Sequence, residues 1–160
     1  MKKSITTLCF VLLLSAIGSS HAQACYSARE LEAEQGIRIH SELMVIGLTC
    51  IKMPDGQELY DKYQQFTEKN ADLIAGYESD LISYYSSEGV TNPENKLNAL
   101  RTSMANEISR KAIAMSTLSF CEKYGSHIDQ ALAMDQDKVR RWAQHVWPDQ
   151  EISEPVCSKL

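Results

Sequence analysis

The side chains of this 160-residue sequence with the most capacity for chemistry are five cysteines, four histidines, and short runs of charge near Glu30 and Arg140. His40 and Met44 stand four apart, so a helix would set an imidazole and a thioether on one face, a pair suited to copper or haem iron. The simpler expectation is a rim histidine beside a core-filling methionine. His127 and His145 fall at opposite ends of one expected helix and cannot act together within one molecule. Glu30, Glu32 and Glu34 resemble paired carboxylates, but residues two apart on a helix point in different directions. Their expected effect is on the helix dipole and on solubility rather than acid and base work. Arg140 and Arg141 beside Trp142 have the charge and ring to grip an anionic ligand, set against the plainer expectation of a solvated face with one buried tryptophan.

Signatures that would give these groups a reaction are missing from the sequence. Glu-x-x-His, His-Glu-x-x-His and Cys-x-x-Cys-His do not occur, nor does Gly-x-Ser-x-Gly or a phosphate-cradling glycine loop. The sequence therefore predicts no catalytic residue, no metal ligand and no cofactor, and a protein that is not an enzyme.

The cysteines say more about compartment. Residues 1–24 have Lys2 and Lys3 at the front, an apolar stretch from Leu8 to Ile17, and small residues at Ala22 and Ala24. That is the pattern of a secretory signal cleaved after Ala24, and the apolar stretch falls short of the roughly 20 residues that span a bilayer. Lipidation of Cys25 is the competing fate, but Ala22 stands where a lipoprotein signal usually has leucine. The expected product is an exported chain, periplasmic or secreted, without a transmembrane anchor, and 25–160 is expected to form one domain. Two of the 16 Lys and Arg and none of the 21 Asp and Glu lie in residues 1–24, so 14 against 21 leaves −7. Such a charge opposes nucleic-acid binding. Cys9 goes with the signal, and in an oxidising compartment Cys25, Cys50, Cys121 and Cys157 should form two disulfides.

These groups must be carried by helices, because prolines and glycines are few and no useful apolar alternation occurs. Ser27 with Glu30 makes a capping box for a first helix that continues to Cys50. KMPDG at 52–56 is a turn, with Asp55 and Glu58 as a second capping box, and the next helix is expected to run to about Tyr85. Its inward seam contains Tyr63, Tyr77 and Tyr84, more phenol than a core needs. These three are the candidate partner-binding stripe, the alternative being a core edge with wet hydroxyls. Asn92 and Pro93 start a third helix with Leu118 on its buried side and Gly125 as its stop. Ser126 with Asp129 caps a fourth, which places Val139, Trp142 and Val146 inward before Pro148.

The resulting expectation is an all-α, antiparallel up-down-up-down four-helix bundle with two disulfides. A first helix over 27–50 would be on the order of 35 Å long, which keeps Cys25 from Cys50. Alternating directions put Cys50 beside Cys121 at one end and Cys25 beside Cys157 at the other. The functional expectation is a non-enzymatic protein that binds a protein or other macromolecule of the bacterial envelope, as an accessory, chaperone-like factor or inhibitor. The alternative is a carrier of a small ligand, metal or haem with its site inside the bundle.

Overall fold

The computed structural model describes residues 24–146 and 150–157. The export signal expected over 1–24 lies outside the described residues except for Ala24, as does the stop expected at Pro148. Among the described residues there are seven helices: α1 (Ala28–Cys50), α2 (Gly56–Lys69), α3 (Ala71–Ser87), α4 (Pro93–Ala114), α5 (Thr117–Tyr124), α6 (Ser126–Leu132) and α7 (Gln136–Ala143). The described residues are thus all-helical, with two disulfides. No helix of the described residues is long and apolar enough to cross a membrane.

Three of the four expected rods are broken. The second parts at Asn70, whose backbone leaves helical geometry at φ −112° and whose Nδ2 donates to the Phe66 carbonyl at 2.9 Å. A side chain that bonds its own preceding turn offers the backbone an exit from the helix. The third ends at Ala114, and Ser116 restarts the chain by accepting from Ser119 N. After α6, Asp135 does the same for α7 by accepting from Lys138 N at 2.8 Å. Two expected caps differ from the structure. Asp55 sits in the left-handed region at φ 60° with no side-chain cap bond, and α6 begins after Gly125 without one. The Ser27 capping box and the Asn92 cap with Pro93 form as expected.

α1 contacts each of the other six helices. Every residue from Ala33 to Ser41 on it is buried, so the helix is enclosed on all sides and polar Glu34, Gln35, Arg38 and His40 lie inside with Ile37 and Leu43. Close packing sets two glycines. A Cβ at Gly36 would stand 2.2 Å from the Tyr77 ring, and one at Gly56 would stand 1.9 Å from the Cys50 carbonyl oxygen. The order of contacts along α1 is regular. Gly47 lies against Tyr60 and Tyr63, His40 meets Tyr63 and Thr67, and Glu32 meets Tyr77. Farther along, Arg38 reaches Glu107 on α4, while Glu42 meets His127 and Glu32 meets Arg140.

Two burial expectations are corrected. Leu118 is 53% exposed and Val146 39% exposed, because the breaks at Met115 and after Ala143 turn both away from the core.

Candidate functional site

Cys25 bridges Cys157 and Cys50 bridges Cys121, with Cα separations of 5.0 and 5.7 Å. The first bridge holds residues 150–157 as a strap along the start of α1. Tyr26 N donates to the Pro155 carbonyl at 2.8 Å and Cys157 N to the Tyr26 carbonyl at 2.9 Å. Under this strap Glu34 is fully buried, and Ser153 answers its carboxylate with both N–H, at 3.0 Å, and hydroxyl. The Tyr26 hydroxyl lies 2.8 Å from Ser153 Oγ and 3.2 Å from the Tyr85 hydroxyl, and burial raises the Tyr26 pKa. Arg38 donates to Glu107 at 2.8 Å and to the Glu151 carbonyl at 2.6 Å, with Glu34 at 3.7 Å. Buried charges persist where they are paired and hydrogen-bonded, and both groups meet partners here, with Arg38 Nε left without one among the described residues. The chemistry of this region is spent on holding the chain end.

The tyrosines expected to form a partner-binding stripe are in the core. Tyr63 is 9% exposed, Tyr77 3% and Tyr84 8%, so all three are buried rather than at a wet edge. The Tyr77 hydroxyl donates to Glu32, and Tyr63 lies 3.3 Å from His40 Nε2. Burial pushes the Tyr84 phenol up to about 12. The spacing of the inward seam marked these residues correctly, but it could not distinguish a wet edge from an enclosed one, because that depends on how α1 is covered over Ala33–Ser41.

His40 is enclosed as well. Its Nε2 lies 3.3 Å from both the Tyr63 hydroxyl and Thr67 Oγ1, and burial, with a smaller contribution from the Arg101 charge, lowers its pKa to about 4. The imidazole is therefore neutral and one nitrogen is taken by hydroxyls. Among the described residues no group of three His, Cys, Asp or Glu side chains comes together as a metal site would require. The three glutamates diverge as helical spacing requires: Glu30 caps Ser27 N at 2.8 Å, Glu32 accepts from Arg140 and Gln144, and Glu34 lies under the strap.

A different surface is left open. A groove of about 830 Å³ runs between α1, α4, α5, α6 and α7. Tyr124, Met134 and Trp142 give it apolar and aromatic surface, while Lys111, His127, Arg141 and His145 supply cations or potential cations and Glu42 a carboxylate. His127 Nδ1 lies 3.3 Å from Glu42, and its ring meets Tyr124 edge to face at 5.6 Å. Of the arginine pair beside Trp142, Arg140 turns to Glu32, whereas Arg141 lines the groove. Sequence reasoning identified Arg141 and Trp142 as a possible anion grip, missed Lys111, Tyr124 and Met134, and set His127 and His145 too far apart to act together; the expected helix is split into α6 and α7, and both histidines line the one groove. In comparisons with known proteins the chain matches no family model, no curated protein and no solved structure.

Proposed function

We propose that the protein is exported to the periplasm or beyond and acts without catalysis, by binding another macromolecule of the bacterial envelope in an accessory, chaperone-like or inhibitory role. The observation that carries this reading is the groove. It is a concave surface with tryptophan, tyrosine, methionine and arginine, the residue types enriched where proteins meet partners. The disulfides support the compartment, since such bonds persist where thiols are not kept reduced. The seven helices are read as a broken up-down-up-down four-helix bundle. In support, contacts from α2–α3 and from α6–α7 to α1 run in reverse chain order: 47 with 63 and 32 with 77, then 42 with 127 and 32 with 140.

A photo-crosslinking amino acid at His145, within the groove, and another at Gln65, on exposed α2, test the reading in intact cells of the native host. Expected is an adduct of defined mass from position 145 alone. Equal adducts from both positions, or none from 145, would refute it. The volume of the groove also falls within the range of about 300–1,000 Å³ typical of small-molecule sites, which favours a small-ligand carrier as the second reading. Native mass spectrometry of protein taken from its own compartment would then show a bound small molecule and no crosslinked partner.

A further inference from the structure

Resting on the groove as the binding surface, we infer that its occupant is an acidic peptide segment carrying an aromatic or large apolar side chain. Charge is the first argument. Residues 25–160 carry −7, with 14 basic and 21 acidic side chains, yet the groove brings Lys111 and Arg141 together beside the imidazoles of His127 and His145, with Glu42 the one carboxylate in its lining and Glu107 3.8 Å from Lys111. Glu42 lies 3.3 Å from His127 Nδ1. A lysine and an arginine brought to one concavity of an acidic protein attract a short anionic segment, while the rest of the surface repels a long polyanion such as a nucleic acid.

Apolar content is the second argument. Trp142, Tyr124 and Met134 present rings and a thioether that an aromatic or aliphatic side chain can cover, next to the cations that hold its acidic neighbours. The third argument separates a peptide from a small carboxylate. Gln130 and Gln150 line the same groove with amides, which can pair with both N–H and C=O of a main chain.

The test is selection of a displayed random peptide library on the full exported protein and on the double variant Lys111→Gln, Arg141→Gln, with thermal melting to check that the variant is folded. Expected from the wild type are peptides in which Asp and Glu outnumber Lys and Arg and flank an aromatic, leucine or isoleucine. The double variant should lose that acidic excess and bind a wild-type-selected peptide at least about tenfold more weakly, the loss shrinking as salt is raised. Enrichment of neutral or basic peptides, equal retention by the variant, or no enrichment would overturn the inference. Binding of hexanoate or indole-3-acetate without any enriched peptide would also overturn it and give the groove to a small anion. Crosslinks from position 145 to a partner surface that is not acidic would defeat this inference and leave the binding reading intact, whereas absence of crosslinks defeats both.

Discussion

The strap face and the groove are built from similar residue types and have opposite fates. At the strap, Glu34 and Arg38 are buried, and each finds its partners within the chain: Ser153 for the carboxylate, Glu107 and the Glu151 carbonyl for the guanidinium. At the groove, Lys111, Arg141 and Trp142 line an open concavity. Internal pairing makes the first region a determinant of stability. The openness of the second makes it a candidate for function. A charged residue on a helix is therefore informative about activity only once its partners are known, and α1 shows how many partners the enclosed stretch Ala33–Ser41 can find.

The largest effect that would break the comparison is at the covalent clasp. Cys25 and Cys157 are 132 residues apart in sequence and Cys50 and Cys121 are 71 apart. Chain-entropy reasoning assigns such closures about 5 and about 4 kcal/mol respectively, as upper figures. Replacing Cys25 and Cys157 by serine should lower the urea midpoint more than any substitution in the groove. Unchanged unfolding curves would mean that the strap contributes nothing to stability.

Next is Glu34→Ala. It leaves the Ser153 N–H without its acceptor and removes one of the two carboxylates near buried Arg38, so a loss of about 3 kcal/mol is expected in chemical denaturation. A cost below about 1 kcal/mol would show that water replaces the strap contact at little expense.

His40 gives a smaller effect with a pH signature. Its pKa is about 4 when folded, against 6.5 in the unfolded chain. Between those values the unfolded state binds the proton and the folded state does not, so stability falls as pH drops from 6.5 to 4 and the contribution levels off on either side. The wild type should lose on the order of 2–3 kcal/mol across this window relative to His40→Gln. Parallel melting-temperature curves for the two proteins would contradict the enclosure of His40.

Part of this contrast is legible in the sequence. The Ser27–Glu30 box, Asn92–Pro93 and the periodic apolar residues specify helices through local geometry, and the two cysteine pairs expected from the sequence are the two that form. Asn70 carries neither proline nor glycine as a warning, and its break depends on a side-chain bond to Phe66. Ser116 and Asp135 were readable as caps, since both are standard cap residues, but the apolar period continues through each. The burial of Tyr63, Tyr77 and Tyr84 was illegible for another reason. It depends on how many neighbours surround α1, a tertiary quantity that no spacing within α2 or α3 encodes.

The smallest expected effect sharpens the comparison most. Arg141 is exposed at the end of α7, and Lys111 near the end of α4 has only a 3.8 Å ion pair to Glu107. Surface pairs and helix-end charges of this kind contribute a few tenths of a kcal/mol each. Lys111→Gln with Arg141→Gln should therefore cost less than about 1 kcal/mol in denaturant while reducing acidic-peptide binding about tenfold, whereas Glu34→Ala should cost stability and leave affinity among the folded molecules unchanged. That crossing of effects separates residues retained for the fold from residues available for a partner. If the groove variant instead unfolds as readily as Glu34→Ala, the cations of the groove belong to the fold, and the contrast between the two regions disappears.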